Sequence, residues 1–286
     1  MPAMARLALE TTILTHGVPR EAAMPLAREL AKISADNGAE PALVGVYRGQ
    51  PIAGISDPQL EEILNSSDIP KANSANLGAL LHRKSHASTT VAATMEIAAS
   101  AGIRVFATGG IGGVHKGFAQ HLDISADLIA LTRFPVAVVA SGVKSILDVV
   151  ATRELLETLG VPVIGFQTSE FPAFYLRSSG ASVDARFDDV ADLGAFIASE
   201  LRRTGRGMLI ANPIPAASEL PASQFAQWLA ESEKAVGAAA SGRNATPSLL
   251  GKLHELSGGR TLRANLELIR SNTALGARLA ASLGTH

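Results

Sequence analysis

The chain has 286 residues, 47% of them hydrophobic, and a formal charge of -1, so it offers no broad basic surface of the kind that holds duplex nucleic acid. It has no cysteine, which excludes disulfides, thiolate metal sites and cysteine nucleophiles and fits a reducing compartment. No apolar stretch approaches the ~20 residues that span a bilayer, and the run at 1–9 is too short for a secretion signal. A soluble cytoplasmic protein, with neither membrane nor nucleic acid as partner, is expected.

Continuous apolar runs predict strands, as segments buried on both faces of a sheet would read. In chain order, a strand at 5–9 precedes a helix whose face is marked by Leu26, Leu30 and Ile33. Strands at 42–47, 103–107 and 135–140 follow, then a helix over 144–159 with Ile146, Val149 and Val150 on one face. After a strand at 161–165, Leu193, Phe196, Ile197 and Leu201 mark another helix, and 207–211 is the last strand. The alternation predicts an α/β fold, with a mainly parallel central sheet flanked by helices on both faces, as one domain over 1–286. From about residue 222 the pattern is helical only, with breaks at 241–247 and Gly258–Gly259. That C-terminal segment is expected to pack over the sheet or close a site.

Ligands in such folds sit beyond the carboxyl ends of the strands, and the unusual polar residues cluster there. In LALETTILTHG (residues 7–17) a small apolar strand runs into Glu10. A carboxyl walled by apolar neighbours holds its proton towards neutrality and can serve as an acid; the alternative is a solvent-facing glutamate at a strand edge. In FATGGIGGVHKG (106–117) the glycines let backbone N–H groups approach a ligand, with His115 and Lys116 beside them. The spacing is not that of the dinucleotide fingerprint. In HLDISADL (121–128), Asp123 and Asp127 share a face if the segment is helical, and with Ser125 they suit a hydrated divalent cation. Alternatively, Asp123 or Ser125 is a helix cap.

Lys144 is the one cation in the apolar run VAVVASGVKSILDVV (136–150), where strand gives way to helix. Desolvation, a helix N-terminus or a nearby metal would favour its free amine, which adds to aldehydes. Lys71, in SDIPKANSANL, could neutralise a phosphate together with a helix opening at Ser88–Thr90. A solvated lysine and an ordinary cap are the alternatives.

Taken together, LALETTILTHG, STTVAATM, FATGGIGGVHKG, DISADL, GVKSILD, PVIGFQT with FPAFY, ANPIP and a late TP…SGG…N pattern resemble the pseudouridine-5'-phosphate glycosidase family from about residue 6 nearly to the C-terminus. The resemblance implies an enzyme, usually a homotrimer, that uses Mn2+ or a similar divalent cation. It implies cleavage of pseudouridine 5'-phosphate to uracil and ribose 5-phosphate. It assigns the acid to Glu10, the covalent nucleophile to Lys144 and the metal carboxylate to Asp123. Substrate contacts fall to Lys71, Val91, Ser125, Ala126 and Asp127, and His115 and Asn265 match further polar positions. The opened ribose, joined to Lys144 through C1' as an iminium, would offer an electron sink for C–C cleavage, with Glu10 protonating uracil C5 and Asp127 moving protons during ring opening. Where family members often carry Ser-Arg-Arg-Asp after the phosphate-site lysine, this chain has Asn73, Ser74, Ala75 and Asn76, so that loop has lost cationic character. An aldolase-like lyase working through lysine on another sugar phosphate, and a non-catalytic sugar-phosphate binder, are the rival readings.

Overall fold

Strand β1 (Arg6–Glu10) has β2 (Glu40–Tyr47) on one side and β6 (Val105–Ala107) on the other, both parallel to it. The structure, a computed structural model, describes residues 4–236 and 245–283. The remaining strands are β3 (Gln50–Ala53), β4 (Lys71–Ala72), β5 (Ala87–Thr89), β7 (Ala137–Ala140), β8 (Val163–Phe166), β9 (Ala185–Phe187) and β10 (Met208–Ala211). They form one sheet in the order β4-β5-β2-β1-β6-β7-β10-β8-β9, with β3 added against β2. Only the pairings of β2 with β3 and β5 are antiparallel among the described strands. The mainly parallel sheet expected from the apolar runs is present. Strands β6, β7, β8 and β10 are buried along their whole length, as helices on both faces require.

The helices are α1 (Arg20–Asp36), α2 (Asp57–Asn65), α3 (Leu77–His82), α4 (Val91–Ser100), α5 (Phe118–His121) and α6 (Ala126–Arg133). They continue with α7 (Val149–Thr158), α8 (Val190–Thr204), α9 (Ala222–Val236), α10 (Ala245–Leu256) and α11 (Arg260–Leu283). Helices α1, α8 and α11 pack as one group over the sheet, and α4 with α6 as another. The predicted stripes are largely the buried ones: Leu26 and Leu30 on α1, and Leu193, Ile197 and Leu201 on α8. Helix α8 opens where the Asp189 side chain accepts from Asp192 N at 2.9 Å and ends where Gly205 takes a φ of 65°, a conformation open to glycine at little cost.

One predicted helix is shorter than the sequence pattern. The segment 144–159 becomes helical only at Val149, where Asp148 Oδ1 accepts from Ala151 N at 2.9 Å and caps the first turn. Ile146 is buried in the preceding loop, and Val150 is exposed. The buried face of α7 is Thr152, Arg153 and Leu156. An arginine is tolerated there because its guanidinium donates to the Ser182 carbonyl at 2.9 Å and pairs with Asp184.

The C-terminal segment packs over the sheet as expected: α11 lies against β1, β6 and β7 and between α1 and α8. Gly258 and Gly259, both at positive φ, separate α10 from α11. The expected break at 241–247 begins outside the described residues, and Pro247 stands in the first turn of α10, where its missing N–H costs nothing. No helix among the described residues is long and apolar enough to cross a membrane. Because the chain leaves β1 for β2 on one side and later enters β6 on the other, a crevice opens beyond the carboxyl ends of β1 and β6.

Candidate active site

Glu10 is the last residue of β1 and stands in that crevice. The next two residues anchor the turn that follows: Thr11 Oγ1 donates to the Val44 carbonyl at 2.9 Å and Thr12 Oγ1 to the Thr89 carbonyl at 2.6 Å. Thr108, directly after β6, is fully buried and its hydroxyl donates to Glu10 Oε1. Lys144 comes from the loop after β7, where its own N–H donates to the Ile111 carbonyl at 3.1 Å. Lys71 opens β4, and its carbonyl accepts from Asn76 Nδ2 at 3.0 Å. The loop that lost its cations is closed on itself: Asn73 Oδ1 accepts from Ala75 N and Asn76 Oδ1 from Asn73 N.

Glu10, Lys71, Lys144 and Asn265 line one cavity of about 400 Å³. Its apolar wall includes Ile13, Val18, Phe174 and Tyr175, and α10 and α11 close it with Leu250 and Leu262. The helical tail thus both covers the sheet and walls the site. Burial pushes the Glu10 carboxyl above its ordinary range. Lys144 and the Thr108 hydrogen bond pull it down, the charge of Asp127 pushes it up, and Lys71 pulls it down. Lys71 is held below the usual lysine range, first by burial and then by the charge of Lys144, with Glu10 opposing. A carboxyl whose protonated form burial favours and two crowded amines face the same partly enclosed space. Such a site attracts an anion and can deliver a proton to a basic carbon.

The other expected site residues lie behind or beside this cavity. Asp127 is buried; its Oδ1 accepts from Ala92 N at 3.0 Å and its Oδ2 from Gly112 N at 2.8 Å. It therefore staples the glycine-rich loop to the start of α4, where Val91 is the first helical residue and is buried. Ser125 caps α6, its Oγ accepting from Asp127 N at 3.2 Å, and Ala126 is the first residue of that helix. The expected helical pairing of Asp123 with Asp127 is not found, because the helix starts only after Ser125 and leaves Asp123 outside it. The glycine-rich loop also spends several of its N–H groups on neighbouring segments of the protein. Those of Ile111, Gly112, Val114 and His115 go to Gly142 O, Asp127, Thr152 Oγ1 and Asp123 O. Its glycines allow close packing, and only Gly109 and Gly110 line the cavity. A Cβ on Gly112 would stand 2.3 Å from Ser125 Oγ.

Asp123 keeps 40% of its side chain exposed, with Oδ2 3.7 Å from His115 Nδ1. No group of three or more His, Asp or Glu side chains among the described residues could hold a metal ion. A lone, accessible carboxylate fits a divalent cation that keeps most of its water shell, not one stripped of it.

Residues 3–282 match the family described as indigoidine synthase A like protein. The chain belongs to that family. Relatives called pseudouridine-5'-phosphate glycosidase are 45% identical in Nocardioides sp., over 96% of this chain and 90% of the relative, and 46% identical in Methylobacterium nodulans, over 97% and 83%. The family resemblance read from the motifs is therefore borne out. An indigoidine synthase A-like protein from Thermotoga maritima superposes with a TM-score of 0.91 at 35% identity, over 98% of this chain and 94% of its own. The prealnumycin C-glycosynthase AlnA, solved with ribulose 5-phosphate, gives 0.91 at 31% identity, over 98% and 92%.

Sequence reading missed the residues that shape this indigoidine synthase A-like site from a distance. Thr108 could have been noticed as the polar residue closing a fully apolar strand. Asn272 on α11 left only the trace of a polar residue on a mostly apolar face, and it is fully buried. Its Nδ2 donates to the Thr108 carbonyl at 2.8 Å and to Ser141 Oγ at 3.2 Å, and its Oδ1 accepts from Asn212 Nδ2 at 2.9 Å. One side chain thus ties the ends of β6, β7 and β10. His16, whose Nε2 lies 3.0 Å from the Ile69 carbonyl, reaches the cavity from the turn after β1.

Proposed function

We propose that this chain cleaves the C-glycosidic bond of pseudouridine 5'-phosphate, giving uracil and ribose 5-phosphate. The observation that carries this reading is the meeting of Glu10, Lys71 and Lys144 in one enclosed cavity, in a member of a family whose relatives bear that name. The anionic end of the substrate sits against Lys71, where the negative charge relieves the repulsion between the two lysines.

As the ribose ring opens, the C1'–O4' bond breaks with its pair going to O4', which takes up a proton, while the uracil ring conjugates with C1'. The Lys144 amine then adds to C1', which remains bonded to uracil C5; the pair shared with C1' returns to the ring, and the nitrogen loses a proton. Glu10 delivers a proton to C5. The C1'–C5 pair returns to the uracil ring while the nitrogen lone pair forms the C1'=N bond. On this electron count the iminium is the product of the C–C cleavage, and water then hydrolyses it to ribose 5-phosphate and free Lys144. Burial suits Glu10 to its task, because it favours the protonated carboxyl that a general acid needs. With both Asp127 oxygens accepting backbone N–H groups, its part is to hold the loop under the substrate and to bias Glu10. A divalent cation held at Asp123, with His115 beside it, would order water and polar groups around the base. The proposal includes this cation and an assembly of three subunits.

Borohydride reduction during turnover tests it. A pentose phosphate is expected on the peptide carrying Lys144, with uracil released from pseudouridine 5'-phosphate and no turnover of simple aldol substrates. Continued consumption of substrate with Lys144 unlabelled, or in Lys144→Ala, would overturn the covalent mechanism. Tight binding without turnover, even with manganese, would favour a non-catalytic binder.

A further inference from the structure

Among the described residues two buried hydroxyls have no hydrogen-bond partner, those of Ser74 and Ser145. Ser145 alone of the two lines the cavity, immediately after Lys144 in the chain. It is 8% exposed. The backbone around it is fixed: Lys144 N donates to the Ile111 carbonyl at 3.1 Å and Leu147 N to the Lys144 carbonyl at 2.9 Å. Ile146 and Leu147 behind it are buried in the apolar core, so nothing on that side can pair with the hydroxyl.

A buried hydroxyl left unpaired is costly, and native structures satisfy nearly all such groups. An exception on the wall of a ligand cavity marks a position whose partner arrives with the ligand. The chemistry of the side chain narrows that partner. A serine hydroxyl donates one hydrogen bond and accepts others, which matches a neutral hydroxyl, whereas a phosphate oxygen only accepts and is better served by Lys71.

We infer that Ser145 is a further substrate-binding residue, whose hydroxyl pairs with a hydroxyl of the pentose held beside Lys144. This rests on the sugar-phosphate reading above. The pairing fixes the sugar chain relative to the amine that captures it, and it leaves the free protein with an unsatisfied group at its reactive centre. Ser145→Ala should therefore separate binding from stability. Removing an orphan hydroxyl leaves the fold as stable as before or more so, while removing a ligand contact weakens the complex.

The experiment is calorimetric titration of the wild type and S145A with ribose 5-phosphate and with inorganic phosphate, alongside thermal melts of both. The expected result is a loss of about three- to tenfold in affinity for ribose 5-phosphate, unchanged affinity for inorganic phosphate, and a melting temperature equal to or above that of the wild type. Equal weakening for both ligands would place the contact on the phosphate and overturn the assignment, as would unchanged affinity for both. A lowered melting temperature would show that the hydroxyl has a partner inside the protein, with the same consequence. Failure of the wild type itself to bind ribose 5-phosphate would remove the sugar-phosphate reading, and the role of Ser145 with it.

Discussion

The Thr108 hydroxyl donates to Glu10 Oε1 across 98 residues of sequence. A donor to a carboxylate stabilises its charged form, so this bond works against burial and keeps the acid strong enough to give up its proton. It also engages Oε1 as an acceptor, leaving Oε2 to carry the proton. Replacing Thr108 by Val keeps the shape and removes the donor, which raises the Glu10 pKa further. In the proposed reaction Glu10 works in its protonated form, so the alkaline limb of the pH–rate profile should move to higher pH, and the rate on the plateau should fall because the acid is weaker. Thr108→Ser should restore the wild-type limb. A profile unchanged in the Val variant would show that the hydroxyl does not act on Glu10.

Glu10→Gln should lower the rate by about 10²–10⁴-fold, the usual contribution of a positioned acid. It should also stabilise the fold at high pH. A carboxyl whose folded pKa is raised contributes its full stability below the unfolded pKa and loses it as pH rises through the folded pKa. The amide never ionises and escapes that loss. Melting temperatures of the two proteins should therefore diverge from acidic to alkaline pH, with the variant the more stable. Parallel curves would count against an uncompensated burial of Glu10.

Gly112→Ala should damage the site without touching the cavity wall. The new methyl would lie 2.3 Å from Ser125 Oγ and 2.8 Å from Asp127 Oδ2, so the loop or the cap of α6 must move. Overpacking of this kind costs about 1–3 kcal/mol, which urea denaturation would read directly. Turnover should fall as well, because Asp127 loses its grip on Gly112 N.

Much of the sheet was legible because its inner strands, such as 137–140 and 208–211, are apolar on both faces and need no partner to be recognised. Strands β4, β5 and β9 have only two or three residues, too few to carry a period, and their mixed composition reflects positions towards the sheet edge. The start of α7 was misplaced because Ile146 is buried by a loop and Arg153 by its pairing with Asp184; neither follows from spacing along the chain. Glu10 and Lys144 stood out because a charge at the end of an apolar run, or inside one, is unusual, whereas Lys71 was marked only as a cation that could meet a phosphate. Thr108, Ser145 and Asn272 did not, since a hydroxyl or an amide acquires meaning only from a partner that folding brings to it.

The knot that Asn272 makes has a consequence for how the molecule comes to life. The proposed reactive side chains are contributed by the first half of the polypeptide or just beyond it, yet the tips of β6 and β7, from which Thr108 reaches Glu10 and the loop to Lys144 departs, are latched by an amide from the last helix. A chain still emerging from the ribosome thus carries Glu10, Lys71 and Lys144 before the residue that latches the ends of β6 and β7. Copies cut short before Asn272 are expected to lack turnover, which an activity assay of a C-terminally truncated chain would check.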